Sequence, residues 1–282
     1  MTIHILKKQI LLKNTTRSRN MDDFYQKQFA KALTTEYDSH FFTIKHLTWL
    51  PWVGKDYINC RILIVAESHY TNASDSTRAE QDIKAIMNDL FYTRAVLAEY
   101  PMLGYDAGWK NNGGRGNNPT FDNLFRLLIS EDLLNDPEPH SRRTKLCSNF
   151  AYINMIQRPM WYPPKRPKER PNDNDRTTGW NVVVDVLRIL MPDICIFAGA
   201  EASSSFGAHM NRLQIPYENW KCVDKKIGNT YPQSTVISLN GKYIPFKFIR
   251  HPGSYFSWNR WQAFVFEDCK HIQDKLLSIM NG

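Results

Sequence analysis

The chain has 282 residues, 42% of them hydrophobic, and a formal net charge of +8 at pH 7. It is long enough to bury a full hydrophobic core, and its apolar runs are too short to span a bilayer, so composition excludes a transmembrane helix. The positive excess fits either an anionic partner or solubility alone, and its position in the chain has to decide between them.

The N-terminal half begins with a basic stretch and then alternates strand and helix patterns. Residues 1–20 contain no acidic residue and no long apolar region of the kind found in signal peptides, so we expect a tail followed by one domain over 21–282. The apolar run 60–68 predicts a buried parallel strand. Apolar residues with helical spacing predict helices over 75–100 and 120–134.

Strands and helices continue to alternate in the C-terminal half. The predicted elements are strands at 149–157, 193–200, 233–239 and 245–251, and helices at 179–191, 201–213 and 257–280. This alternation predicts an α/β fold, a three-layer α/β/α sandwich around a central, mainly parallel, four-stranded sheet. Ligands bind such sheets at the carboxyl ends of the strands, so we expect the chemistry there.

One loop concentrates basic residues among prolines. The segment between Arg158 and Arg176 is too rich in proline to form a helix or a central strand, so it is predicted to be a stiff, exposed loop. We expect its basic side chains to contact DNA phosphates, although a solvated linker would have a similar composition. The predicted phosphate contacts are Arg158, Lys165, Arg166, Lys168 and Arg170.

The five cysteines are isolated in the sequence, and none forms a C-x-x-C pair. Their spacing argues against a zinc ribbon or an iron–sulfur cluster and is typical of reduced thiols in the cytosol. The eight histidines lack the spacing of a helical metal site. We therefore expect a cytoplasmic protein with no metal and no cofactor.

Polar residues stand at the carboxyl ends of several predicted strands. Glu67 follows the first strand, Asn154 lies near the end of the second, and His251 ends the last. Because parallel strands end at the same edge of a sheet, we expect these three side chains to line a single cavity. Each also has an ordinary interpretation: Glu67 as a cap, Asn154 as the partner of a backbone group, and His251 as a structural residue.

These motifs, taken in order, resemble those of the uracil-DNA glycosylase superfamily, especially its thermophilic and bacterial branches. The segments "VAESHY", "YINMIQRP", "LMPDICIFAGAEA" and "FIRHPGSY" are similar to that family's Gly-Glu-x-Pro-Gly strand end, its Asn strand end with a nearby Arg-Pro, its "xxPxxIxxxGxxA" segment and its His-Pro-Ser or His-Pro-Ala end. The resemblance covers roughly residues 60–277.

The sequence also departs from the family pattern. Ala66 and His69 replace a glycine and a proline of the first motif, and Ser68 stands where the strictest uracil enzymes have a catalytic aspartate. The iron–sulfur cysteines of the thermophilic branch are missing. The segment 71–118 is longer than in compact members and is predicted to be an insertion that reshapes the base pocket.

The resemblance implies a monofunctional DNA glycosylase that leaves an abasic site. His251 would donate a hydrogen bond to the departing base, and Glu67 would orient water or stabilise the cationic sugar. Asn154 would read the pyrimidine edge, since an amide offers both a donor and an acceptor. The remaining predicted contacts are Ser68, Tyr70 and Trp109 around the base, and Tyr255 with Phe256 as a wedge in the DNA duplex.

The sequence leaves the substrate and even the catalysis open. The base could be uracil or a pyrimidine altered at its 5-position, such as the glucosylated hydroxymethylcytosine of phage DNA. The alternative is a DNA-binding module of the same fold without activity, which the serine at position 68 favours. A Rossmann-type nucleotide-binding enzyme ranks low because no G-x-G-x-x-G follows the first strand. We expect a monomer that binds DNA and no membrane.

Overall fold

A computed structural model describes residues 31–98, 119–130, 139–164, 167–253 and 255–282. Their strands are β1 (Trp52–Val53), β2 (Ile62–Ala66), β3 (Tyr70–Thr71), β4 (Phe150–Asn154), β5 (Met160–Trp161), β6 (Ile194–Ala198), β7 (Tyr217–Cys222), β8 (Gln233–Leu239) and β9 (Lys242–Ile249). Their α-helices are α1 (Asp38–Phe41), α2 (Ser76–Met87), α3 (Tyr92–Leu97), α4 (Pro119–Ile129), α5 (Pro139–Cys147), α6 (Asp173–Leu190), α7 (Ala200–Arg212), α8 (Trp258–Phe266) and α9 (Lys270–Asn281).

The central sheet has seven strands in the order β1-β4-β2-β6-β9-β8-β7, with four parallel strands, β4, β2, β6 and β9, in its middle. The prediction of a four-stranded sheet is therefore wrong. Antiparallel strands extend both edges, β1 beside β4, and β8 then β7 beside β9. The sequence pattern missed β1 because it has two residues, and β7 because its side chains are mostly exposed. A separate two-stranded sheet pairs β3 with β5.

Helices cover both faces of the sheet, as predicted from the alternation of elements. One hydrophobic cluster joins the sheet to α4, α8 and α9, and a second joins the opposite face to α6 and α7. In the central strands buried side chains fill both clusters, which is why their sequences read as continuous apolar runs. No helix among the described residues is long and apolar enough to cross a membrane.

Two predicted helices are divided, and one begins earlier than predicted. The predicted helix 75–100 is interrupted before α3, where the Asp89 carboxylate accepts a hydrogen bond from the backbone N–H of Phe91 at 3.0 Å. The predicted C-terminal helix is divided at Cys269, whose backbone is not helical. Helix α6 begins at Asp173, because Asn172 and Asp175 form a reciprocal capping box inside the basic loop.

The cysteines are all free thiols, and four of the five are buried. Cys222 on the edge strand β7 is exposed. Burial raises the pKa of Cys60 to about 11, so this thiol stays protonated and unreactive near neutral pH.

Helix α3 is held in place by a buried arginine. The Arg94 side chain is 1% exposed, and its guanidinium donates to both carboxylate oxygens of Asp38 at 2.9 and 2.5 Å. Its Nε also donates to the backbone oxygen of Pro51 at 2.9 Å. These bonds fix α3 against the segment before β1, and with it the neighbouring residue Thr93.

Replacing Arg94 with methionine is expected to lower the free energy of unfolding by about 3–5 kcal/mol, because Asp38 would lose its partner in a mostly buried position. Urea unfolding followed by tryptophan fluorescence measures this change. The matched control is R78M, which removes an arginine whose side chain is 72% exposed and should change stability by less than about 0.5 kcal/mol. Equal losses in the two variants would contradict the structural role of Arg94.

Candidate functional site

The four central strands end at one edge of the sheet. Ala66 at the end of β2 pairs with Asn154 on one side and with Ala198 on the other, and Ala198 pairs with Ile249 of β9. Glu67 directly follows β2, and His251 lies two residues beyond β9. The structure therefore brings the three sequence-predicted residues Glu67, Asn154 and His251 to the same edge.

Side chains at this edge divide between the two faces of the sheet. Tyr152 lies in the cluster that packs against α4, whereas Ile153 lies in the opposite cluster. Because side chains alternate along a strand, Asn154 lies on the α4 face with Tyr152. Ala66 and Ala198 belong to the same face.

The turn that carries His251 also rests on helix α4. The Asn123 amide nitrogen donates to the backbone oxygens of Pro252 at 3.0 Å and Gly253 at 2.8 Å. Asn123 supports the turn that carries His251, and the sequence did not predict it, because no sequence signal links α4 to a turn 129 residues away. His251 and Asn154 therefore lie on the same side of the sheet.

Glu67 opens to the other side. A small cavity of about 10 Å³, roughly the room that one water molecule needs, lies between Glu67, Gly199 and Glu201, and neither Asn154 nor His251 lines it. Small-molecule pockets usually measure roughly 300–1,000 Å³. The cavity beside Glu67 is therefore not the expected cavity lined by Glu67, Asn154 and His251 together. It does include Ala66 and Ala198, which stand between Asn154 and His251 along the sheet edge.

Gly199 allows β6 to pass close to Glu67. Its φ of 150° is rare for residues with a side chain, and a Cβ there would lie 3.1 Å from the Cβ of Glu67. Helix α7 starts immediately afterwards and places Glu201 in its first turn. The Arg176 guanidinium donates to the Glu201 carboxylate at 3.1 and 3.0 Å.

The electrostatic environment of Glu67 combines burial with two cations, Lys168 and Arg170, and a second carboxylate. The side chain is 8% exposed, and the Lys168 Nζ lies 3.9 Å from its carboxylate. Burial raises the pKa of Glu67 above its ordinary value, Lys168 opposes that rise, and the Glu201 carboxylate adds to it. Lys168 therefore favours the ionised form of Glu67.

The Asn154 side chain is buried and held by a histidine. Its Nδ2 lies 2.7 Å from the Nε2 of His69, which is also 2.9 Å from the Thr93 hydroxyl. The Asn154 Oδ1 is buried and has no hydrogen-bond partner among the described residues. Burial lowers the pKa of His69 to about 3. In the sequence, His69 stands out only because it replaces a proline of the glycosylase motif, and no local pattern predicts its contact with Asn154.

His251 is exposed at the surface of its turn. Its pKa is lowered because the surrounding protein removes part of the solvation of the cationic ring. The charges of Lys168 and Arg250 lower it further. The imidazole is therefore mainly neutral at pH 7, with one nitrogen able to donate and the other able to accept.

Tyr255 projects from the same turn into solvent. It is 94% exposed, and its backbone has a left-handed φ of 58° that costs energy in residues other than glycine. Phe256 is 7% exposed, and its ring stacks on Trp261 at 6.1 Å. The structure thus separates the two predicted wedge residues: Tyr255 is free to contact a partner, and Phe256 belongs to the core.

Some cations of the basic loop are bound to carboxylates of the protein, and others are exposed to solvent. The Arg158 guanidinium binds the Asp175 carboxylate at 2.8 Å and that of Glu169 at 2.7 Å, which gives it a structural role at the base of the loop. The Arg170 side chain is 70% exposed and lies 3.9 Å from Glu201. Lys165 and Arg166 lie outside the described residues.

The other predicted base contacts differ in position. The Ser68 hydroxyl donates to the backbone oxygens of His69 at 2.9 Å and Arg158 at 3.0 Å, so it braces the loop. Tyr70 is half-buried beneath Lys168, whose Nζ lies 3.3 Å from the phenol oxygen and 5.0 Å from the ring centre. Trp109 lies outside the described residues.

No protein-family model matches the chain, and no curated protein matches it.

Replacing Lys168 with methionine is expected to raise the pKa values of both Glu67 and His251, because its charge favours the anionic carboxylate and disfavours the cationic imidazole. Side-chain NMR titrations of the two residues measure these shifts. The control K221M removes an exposed lysine on β7 and should leave both pKa values unchanged. An unchanged or lowered pKa at either residue in K168M would show that Lys168 does not control the charge of the site.

Proposed function

We propose that the protein is a DNA glycosylase of the uracil-DNA glycosylase superfamily, which hydrolyses the N-glycosidic bond of a flipped-out pyrimidine and leaves an abasic site. The observation that carries this proposal is the position of Asn154 and His251. They lie on the same side of the sheet, with the ends of β2 and β6 between them. Two alanines, Ala66 and Ala198, separate them on that face.

The interval between Asn154 and His251 suits a planar base. Neighbouring strands lie about 4.8 Å apart, so β4 and β9 are separated by about 14 Å. The intervening Ala66 and Ala198 side chains are methyl groups, which take up little of the interval between the two polar residues, and both also line the cavity beside Glu67. A base in this position would meet the Asn154 amide at its buried end and the His251 imidazole at its exposed end.

His251 supplies the hydrogen bond that the departing base requires. When the bond between the anomeric carbon and the base nitrogen breaks, its electron pair leaves with the base, and negative charge develops on a base carbonyl oxygen. A neutral imidazole can donate to that oxygen, and a comparable donor in an enzyme site contributes about 3 kcal/mol. The lowered pKa of His251 keeps the ring in this neutral form.

Glu67 supplies the complementary negative charge. The sugar becomes cationic as the base leaves, and a water oxygen then bonds to the anomeric carbon while losing a proton. An ionised carboxylate can stabilise the cation and accept that proton. Glu67 has the burial that makes such an interaction strong and a neighbouring lysine that favours its ionised form.

Tyr255 and the basic loop suit the flipping of a nucleotide from DNA. Extruding a base costs a few kcal/mol, and an inserted side chain can occupy the space it leaves. The Tyr255 side chain is almost fully exposed to solvent, and Arg170 on the neighbouring loop is largely exposed. The target is uracil or a pyrimidine modified at its 5-position.

A DNA-binding module without catalysis is the second candidate. It is favoured by the Ser68 hydroxyl, which is bonded to backbone oxygens, and by the small volume of the cavity beside Glu67. This candidate shares the DNA contacts of the first and differs only in turnover.

Duplexes containing uracil or a 5-modified pyrimidine, incubated with the protein and then treated with alkali, should break at the excised base. The variants E67Q and H251A are expected to lower kcat by about 10²- to 10³-fold and to leave DNA affinity within a few-fold, because both groups act mainly in the transition state. The controls E267Q and H271A change exposed residues on or beside the C-terminal helices. Affinity for DNA without breakage of any duplex would reject the enzyme and leave the binding module.

The variant Y255A is expected to lower kcat/KM on base-paired DNA by roughly tenfold or more, because a stacked ring contributes about 1–3 kcal/mol. The loss should be smaller on single-stranded DNA, where no stack has to be opened. Y243A is the matched control, since Tyr243 is also an exposed tyrosine, on β9. An equal loss on both kinds of DNA would argue against a wedge.

A further inference from the structure

His69 is enclosed in a way that fixes both its position and its charge. Its ring lies edge-to-face between Trp49 and Tyr92, with both ring centres 4.8 Å away. Its backbone oxygen accepts hydrogen bonds from the Met160 N–H and the Ser68 hydroxyl, both at 2.9 Å. A side chain held at its backbone and on two sides of its ring cannot turn away from Asn154.

The contact with Asn154 determines where the His69 proton lies. The Nδ2 of an asparagine amide can only donate, so the Nε2 atom 2.7 Å away accepts, and the Thr93 hydroxyl 2.9 Å from the same nitrogen can donate to it as well. A neutral imidazole whose Nε2 accepts carries its proton on Nδ1. Burial keeps the ring neutral over the physiological range, since the pKa of His69 is lowered to about 3.

The same contact determines which end of the Asn154 amide remains available. With Nδ2 bound to His69, the Oδ1 atom faces away from the imidazole, and it is buried without a partner among the described residues. A buried carbonyl oxygen without a partner is unfavourable, because its lost hydrogen bonds to water are not replaced. An unsatisfied group held this firmly is expected where a ligand supplies the missing donor.

We propose that His69 is a positioning residue that locks the Asn154 amide with its oxygen as the free group, so that the site selects a base with an N–H donor at the edge facing Asn154. This inference rests on the proposed function and gives its substrate class. Uracil-type bases offer the N3–H donor, and cytosine-type bases offer the 4-amino group. A base with only acceptors at this edge leaves Oδ1 unsatisfied and is rejected.

A purely structural role for His69 would require only its packing between two rings. Selection requires in addition a specific tautomer and a specific amide orientation. These two requirements can be measured without any substrate.

The first experiment is NMR of the ¹⁵N-labelled wild-type protein between pH 5 and 8. We expect His69 to be the Nδ1–H tautomer at every pH, with a scalar coupling through the hydrogen bond between its Nε2 and the Nδ2 of Asn154. His209 is an internal reference, because its Nδ1 lies 2.7 Å from the backbone oxygen of Ser205 and carries a proton there. An Nε2–H tautomer, or titration of His69 in this range, overturns the inference whether or not the protein is an enzyme.

The second experiment compares the pyrimidine that is cleaved with pyrimidin-2-one, which has neither the N3–H of uracil nor the 4-amino group of cytosine. Wild type should prefer the natural base by about 100-fold or more in kcat/KM, because a site built for a hydrogen bond rejects analogues that lack it. In H69L the amide can rotate, and we expect the preference to fall below about tenfold. H69Q, whose carbonyl can accept from Asn154, should restore most of it.

H209L is the matched control, since it removes a histidine of α7 by the same substitution and should keep the wild-type preference. A wild type that cleaves both bases equally, or an H69L protein that is folded by circular dichroism and still discriminates, overturns the role of His69 and leaves the glycosylase proposal intact. Absence of cleavage by wild type on every substrate rejects the glycosylase proposal instead, and the NMR result then decides the amide orientation alone.

Discussion

The parallel register of β4, β2, β6 and β9 is the constraint on which the candidate site depends. Because these strands point the same way and their last residues pair, segments that are distant in the chain end at one edge of the sheet. Asn154 and Glu67 come from neighbouring strands, and His251 follows a strand two positions further across. The alternation of side chains then separates Glu67 from Asn154, so a carboxylate and an amide that are adjacent along the edge serve opposite faces.

The sequence was sufficient to predict these strand ends but not the groups that support them. Apolar runs and the polar residues after them placed Glu67, Asn154 and His251 at the edge, since this pattern is local. The contact between His69 and Asn154 spans 85 residues, and the contact between Asn123 and Pro252 spans 129. Such contacts depend on how distant segments of the chain pack together, which local periodicity does not describe. The edge strands β1 and β7 were missed for a related reason, because shortness or exposure removes the apolar pattern.

Exposure likewise could not be predicted from residue type. Tyr255 and Phe256 are consecutive aromatic residues, yet one is 94% exposed and the other 7%. The left-handed backbone at Tyr255 turns its side chain outward while Phe256 stacks on α8. Arg158 and Arg170 differ in the same way, because carboxylates of the loop and of α6 bind the first and leave the second mostly solvated. Net charge therefore overstates the number of cations that are free to meet an anion.

The surroundings of His69 are assembled from widely separated parts of the chain. Trp49, Tyr92, Thr93 and Asn154 come from three different segments of the chain, and none is a local neighbour of position 69 in the sequence. Contacts of such high contact order form late, because the entropy of closing long loops must be overcome before they contribute. The pairing of β2 with β4 joins segments just as distant, Ala66 with Asn154, so the enclosure around this imidazole forms only together with the central sheet.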